Sequence, residues 1–221
     1  MVLRREPTSG PAAFVRGQTR LVTSPLVPEI RLWLADDVFD LWEESLRTHG
    51  GDAPLPFWAF AWAGGLALAR YVLDHAEAVE GRRVWDLAAG SGLVAIAAAR
   101  AGAAQVTASD TDPHAIAAIG LNAAANGVVV ATTMEDALDG TPHELDVVLA
   151  GDVFYDLDVA RSALTFVDRA VRCGARVLVG DPGRAHLPRS RFTPLAAYQV
   201  PGTGAVENAD VTTATIWQPC G

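Results

Sequence analysis

The chain has 221 residues, 50% apolar and 19% charged, which suits one α/β domain with or without a short extension and excludes a wholly disordered chain. Lys+Arg is 17 and Asp+Glu is 26, so the net charge is −9 with a pI near 4.9, and without a basic run the chain is a poor general nucleic-acid binder. All 17 cations are arginine, which excludes Schiff-base chemistry and a P-loop lysine.

Residues 1–17 mix Pro, Gly, Ser and Arg without the apolar core of a secretory signal, and read as a frayed start. Residues 19–34 read as short extended pieces ending in the alternating Ile30-Arg31-Leu32-Trp33-Leu34, and 36–46 as a short helix. The apolar run 53–69 is short for a membrane span and holds two prolines and Gly64-Gly65, so it reads as core leading into a helix over 64–78. From Gly81 the pattern is regular, with strands predicted at 84–87, 105–108, 128–131, 146–150 and 175–180 and helices at 91–100, 113–125 and 158–172. Asp112 and Pro113 supply the N-cap and first position of the middle helix. Such alternation builds right-handed crossovers and a parallel, doubly wound sheet. Two further strands, 195–200 and 211–217, have no helix between them and read as a terminal antiparallel hairpin. Residues 1–57 therefore form an N-terminal extension, a lid or substrate platform, ahead of a catalytic domain over 58–221. Cys173 and Cys220 are too few for a disulfide framework or a zinc site, so no metal is expected and a reduced, cytoplasmic protein is.

The sharpest local signal is VWDLAAGSG, residues 84–92: a strand, then Gly90-x-Gly92, then a helix whose free N–H groups can meet a ligand. Asp110 stands at the end of the next strand, where a carboxylate can accept from both hydroxyls of a ribose. The glycines alone fit any tight strand–helix turn, but with Asp110 in register they indicate a nucleoside ligand. The same stretch satisfies the dinucleotide G-x-G-x-x-A form. Asp86, however, would repel a pyrophosphate there and suits an ammonium and a sulfonium, which S-adenosylmethionine carries together; its other reading is a helix or turn cap. Asp136 can accept from the exocyclic amine of adenine, or equally be a loop acid or a cap.

After the fourth strand, GDVFYD (151–156) puts Asp152 and Tyr155 beyond the strand ends, where doubly wound sheets bind ligands, to hold and orient an amine nucleophile. The other reading is that Asp152 caps the next helix and Tyr155 packs. In Asp181-Pro182-Gly183-Arg184 a turn is expected, with Asp181 paired to Arg184 as loop support. Within 56–65, Phe57 and Phe60 read as core, and Trp62 as an indole facing the donor's sulfonium. Asn122 reads as a turn-supporting amide.

With these motifs the chain resembles the class I, seven-β-strand S-adenosylmethionine methyltransferases, and Asp152-Val153-Phe154-Tyr155 matches the Asp-x-x-Tyr of their protein-lysine group. The runs PFWAFAWAGGLALARY, VWDLAAGSG, SDTDPHAIAAIGLNAAANG, GDVFYD and VLVGDPGR, within 23–184, are similar to the electron-transfer-flavoprotein β-subunit lysine methyltransferases and their bacterial relatives. Ala88-Ala89 stands where glycine is common in the broader fold, and Ala63 where relatives often have proline. The resemblance implies a Rossmann-like α/β sheet of order 3-2-1-4-5-7-6 with the seventh strand antiparallel, and S-adenosylmethionine as cofactor. It implies donor contacts among Trp62, Asp86, Ala88, Gly90, Gly92, Asp110, Thr111, Asp136 and Gly151, and substrate handling by Asp152 and Tyr155. The expected partner is a protein, the electron transfer flavoprotein β-subunit, with no nucleic acid or membrane and a monomeric enzyme. The alternatives are a small-molecule N-methyltransferase for a nicotinamide-like amine, a nicotinamide-dependent oxidoreductase and a non-catalytic nucleoside-binding module.

Overall fold

The computed structural model describes residues 10–49, 54–134, 145–202 and 211–220. In chain order the elements are α1 (Pro11–Gln18), β1 (Arg20–Ser24), β2 (Val27–Leu34), α2 (Val38–His49), α3 (Ala63–Asp74), β3 (Arg83–Leu87), α4 (Leu93–Arg100), β4 (Gln105–Ser109), α5 (Pro113–Ala125), β5 (Ala131–Thr133), β6 (Val147–Gly151), α6 (Leu157–Arg172), β7 (Arg176–Asp181), β8 (Phe192–Pro201) and β9 (Val211–Pro219).

The large sheet has the order β5-β4-β3-β6-β7-β9-β8, and only β9 runs against its neighbours. Numbered from β3, this is the 3-2-1-4-5-7-6 sheet with an antiparallel seventh strand. The central strands β6 and β7 carry the runs Val147-Val148-Leu149-Ala150 and Val177-Leu178-Val179 because helices cover both faces of the sheet: α3, α4 and α5 on one, α6 on the other. Asp112 caps α5 as expected, its Oδ1 accepting from the His114 N–H at 2.7 Å.

Three segments depart from the expected pattern. The start is not frayed up to residue 17. Pro11 opens α1, which buries Val15 and sets Phe14 against Trp58 and His114, and this burial offsets the cost of ordering a short helix. The helix expected over 64–78 is α3, which stops at Asp74, and a separate 3-10 turn covers Ala76–Ala78. The strand expected at 128–131 is β5, Ala131–Thr133. The Val128 N–H is used on the Ala123 carbonyl to close α5, so pairing with β4 begins only at Ala131.

β1 and β2 form their own two-stranded sheet, and side chains complete its free edge. Asn126 Oδ1 accepts from the Arg31 N–H at 3.0 Å while its Nδ2 donates to the Arg31 carbonyl at 2.6 Å. Asn122 Oδ1 accepts from the Trp33 N–H at 2.7 Å and its Nδ2 donates to the Ser91 carbonyl at 2.8 Å. The fully buried Asn122 thus couples the N-terminal hairpin to the glycine turn.

α3 crosses the carboxyl ends of β6 and β7 at backbone contact distance. A Cβ on Gly180 would lie 2.1 Å from the Gly64 carbonyl oxygen, and one on Gly151 would lie 2.9 Å from Gly65 Cα. Only glycine permits this approach, which delivers the N-terminus of α3 to the strand ends. Among the described residues no helix is long and apolar enough to cross a membrane.

Candidate functional site

The carboxyl ends of β3, β4 and β6 open onto a pocket of about 740 Å³, bordered by the segment before α3. That volume suits a small-molecule or cofactor site. Trp62, Asp86, Ala88, Gly90, Asp110, Thr111 and Gly151 line it, together with Asp152 and Tyr155. Gly92 does not; it takes φ +77° at the start of α4, where an added Cβ would lie 3.0 Å from Ile119 Cγ1, so packing accounts for it. Asp136 lies outside the described residues.

Gly90 has φ +52°, with the Trp58 backbone 3.7 Å from where a Cβ would be. Asp110 braces the turn. Its Oδ2 accepts from the Gly90 N–H at 2.9 Å and its Oδ1 from the Asp112 N–H at 3.0 Å. Carboxylate oxygens accept more than one bond each, so Asp110 keeps capacity for a ligand's hydroxyls. Burial pushes its carboxyl above the ordinary value.

Asp86 is 2% exposed. Its Oδ2 accepts from the Ala95 N–H at 2.9 Å, in the first turn of α4, so Asp86 also caps that helix. Among the described residues no basic side chain hydrogen-bonds to it. Burial, with the nearby negative charge of Asp110, pushes the carboxyl up to about 8 despite the Ala95 bond. A buried acid without a counter-charge, lining a pocket, is suited to a ligand that brings a cation. The donor set therefore fits S-adenosylmethionine, whose ammonium and sulfonium are both positive, and does not fit a diphosphate.

Asp152 is built differently. It takes φ +57° and is 8% exposed. Its Oδ2 accepts from the Gly65 N–H at 2.9 Å, in the first turn of α3, where the N-cap residue Trp62 makes no side-chain cap bond. Asp152 thus caps α3 from the end of β6. Its Oδ1 accepts from Arg184 Nη2 at 2.9 Å and Nε at 3.2 Å. Burial raises the carboxyl to about 6, and the Arg184 guanidinium opposes that rise.

The alternative reading of Asp152 is set aside here, and one expectation is corrected. The helix after β6 is capped by Asp156, which accepts from the Asp158 and Val159 N–H groups, and not by Asp152. Asp181 does not pair with the Arg184 side chain. Its Oδ1 accepts the backbone N–H groups of Gly183 at 2.7 Å and Arg184 at 2.8 Å, so this carboxylate shapes the turn while the long arginine stem reaches Asp152.

The aromatic residues also differ from expectation. Trp62 lines the pocket, but the cation over its ring is Arg184, 5.8 Å from the centroid. Phe57 is 39% exposed rather than core, and lies against Tyr155 at 5.2 Å and Trp62 at 5.8 Å; the Trp62 indole N–H donates to its carbonyl. Tyr155 is itself 46% exposed, and burial of part of its ring, with the charges of Asp156 and Asp110, raises its hydroxyl. Phe60 is buried as expected. Sequence reasoning missed the Gly65 N–H and the Arg184 guanidinium as partners of Asp152, and the reach of Asn122. The Gly64-Gly65 pair at a helix start was the one available signal.

The sheet order, the glycine turn and the uncompensated Asp86 define a class I S-adenosylmethionine-dependent methyltransferase. Among solved structures, the magnesium protoporphyrin IX methyltransferase of Synechocystis with bound SAM shares the fold at TM-score 0.54 and 17% identity, over 82% of this chain and 91% of that one. The profile of the ribosomal protein L11 methyltransferase (PrmA) family matches residues 67–153. The electron transfer flavoprotein beta subunit lysine methyltransferase of Xenopus laevis is 37% identical over 97% of this chain and 89% of its own length, and the human one 36% over 93% and 80%. The chain belongs to the electron transfer flavoprotein beta subunit lysine methyltransferase family.

Proposed function

We propose that the protein transfers methyl groups from S-adenosylmethionine to a lysine side chain of the electron transfer flavoprotein β-subunit. The observation that carries this reading is the 37% identity, over 97% of the chain, with a relative of that name. Asp86 pairs with a positive group of the donor, and Asp110 accepts from its ribose hydroxyls. Ala88, Gly90, Thr111 and Gly151, which line the pocket, would supply backbone surface to the donor. When bound, S-adenosylmethionine supplies a methyl group on a sulfonium sulfur, and that S–C bond breaks as the lysine nitrogen's lone pair forms the new N–C bond.

An ammonium has no lone pair, so the lysine must first release a proton to solvent. Tyr155 stands at the pocket mouth, where its hydroxyl accepts an amine N–H and aims the lone pair inward. Asp152 fixes the floor beneath it. Leu55, Phe57, Tyr155 and Leu157 are each more than one-third exposed, an apolar group that a protein segment can cover and a small metabolite cannot. The chain's charge of −9 favours a lysine-bearing partner. With Asn122 and Asn126 clamping β2, the β1–β2 hairpin serves as a fixed platform rather than a moving lid. The two exposed free cysteines are in keeping with a reducing cytoplasm.

To test this, the purified enzyme is incubated with labelled donor and the flavoprotein from the same cells. Mass spectrometry is expected to find methyl additions on a β-subunit lysine. A β-subunit left unlabelled, with label going instead to a small amine supplied in a parallel incubation, would overturn the protein substrate.

A further inference from the structure

Arg184 is the one basic residue lining the pocket among the described residues, and the roles above leave it unused. Its backbone is fixed by Asp181 Oδ1, which holds the Gly183 and Arg184 N–H groups, and Gly183 takes the φ of +96° that the turn needs. Its guanidinium lies between Asp152 Oδ1 and the Trp62 ring, at the end of the pocket that Tyr155 borders. A gate would need freedom to swing, whereas this cation is held at both ends.

We propose that Arg184 is a positioning residue that holds the acceptor lysine in its unprotonated form, by keeping Asp152 paired and by fixing a positive charge beside the amine site. This rests on the reading that the acceptor is an amine. A free lysine titrates near ~10.4, so at neutral pH almost all of it is ammonium. An unpaired carboxylate beside it would strengthen that preference, because an opposite charge favours the charged form. Arg184 removes that attraction by satisfying Asp152 and replaces it with like-charge repulsion, which lowers the amine's affinity for its proton. The proton passes to solvent through the open mouth, leaving the neutral amine with the lone pair that attacks.

The other charged groups around this end are Asp152 after β6, Asp181 and Arg189 on the β7 side, Asp156 and His186 beside α6, and Asp110 at the end of β4. None of them is substituted in an Arg184 variant, but Asp152 loses its guanidinium partner, so the comparison reads the Arg184–Asp152 pair as a unit.

The test is single-turnover methyl transfer at saturating donor and protein substrate from pH 6 to pH 10, with Arg184→Gln, Arg184→Met and Arg184→Lys beside the parent. The rate rises with pH as the bound amine deprotonates, then levels off. The neutral variants are expected to level off at least about one pH unit higher than the parent and to be about tenfold slower at pH 7. Arg184→Lys restores most of the parent profile. Using both Gln and Met keeps the comparison available if one of them folds poorly. Donor affinity measured by calorimetry should stay within about threefold, since Asp86 and Asp110 are untouched. Profiles that level off at the same pH and differ only by a constant factor would assign Arg184 a purely structural role and overturn the proposal. A parent enzyme that leaves the β-subunit unmethylated defeats the substrate reading instead, so the two failures are separable.

Discussion

Two buried aspartates stand near the carboxyl ends of the paired strands β3 and β6; each accepts a first-turn N–H of a helix, and they differ in whether a cation is paired with them. Asp152 has a helix N-terminus on one oxygen and a guanidinium on the other, and its carboxyl is held to about 6. Asp86 likewise holds a helix N-terminus, through the Ala95 N–H in the first turn of α4, but has no cation, and its carboxyl is pushed up to about 8. The contrast shows what each charge is for. A buried carboxylate with its own cation is part of the framework that a substrate meets, whereas one left without it marks the place where a ligand supplies the missing charge.

The sharpest way to break the contrast is to neutralise each carboxylate in turn. Asp152→Asn leaves the guanidinium without its counter-ion and weakens the cap of α3. It should cost about 2–3 kcal/mol in urea unfolding, toward the low end for a buried pair because Arg184 is partly exposed, and slow methyl transfer about a hundredfold or more. A variant as stable and active as the parent would show the pairing to be idle. Asp86→Asn should do the reverse to stability: the ligand-free protein melts at the same temperature or higher at pH 8, while donor affinity by calorimetry falls about a hundredfold.

The pH dependence sharpens the same point. Asp86 binds its proton more tightly in the folded chain, near 8, than in the unfolded chain, near ~4. Its contribution to stability is therefore fully present below about pH 4 and is lost as pH rises to about 8. Urea titrations of the ligand-free proteins should show Asp86→Asn gaining on the parent across that window and no further above it. A gap that stays constant with pH would mean that Asp86 is not the group titrating. The smallest effect belongs to Tyr155→Phe, which leaves donor affinity and stability unchanged and slows transfer by about tenfold, because it removes one hydrogen bond at an exposed mouth.

Much of this was legible in the sequence because the decisive patterns are local. The strand–glycine–helix run at Val84–Gly92 sets the turn, and the spacing to Asp110 sets the brace across it. The alternation from Gly81 onward sets the parallel sheet, and the bare hairpin sets the antiparallel last strand. What the sequence hid was long-range pairing. Nothing near Arg184 says that it reaches past Asp181 to a residue 32 positions earlier, and nothing near Asp152 says that it caps a helix starting 89 positions before it. Phe57 misled because aromatic residues usually mean core, whereas its ring lies against Tyr155 at the pocket and stays partly exposed. α1 was missed because its helix depends on tertiary burial of Val15 and not on its own propensity.

The most direct test of the central contrast is calorimetry of S-adenosylmethionine binding at pH 7 in two buffers of different ionisation enthalpy. A cation arriving beside Asp86 makes that carboxyl ionise, so the parent should release close to one proton per donor bound and Asp86→Asn close to none. Equal release from both proteins, or none from the parent, would contradict the assignment of Asp86 as the carboxylate that the donor's positive charge completes.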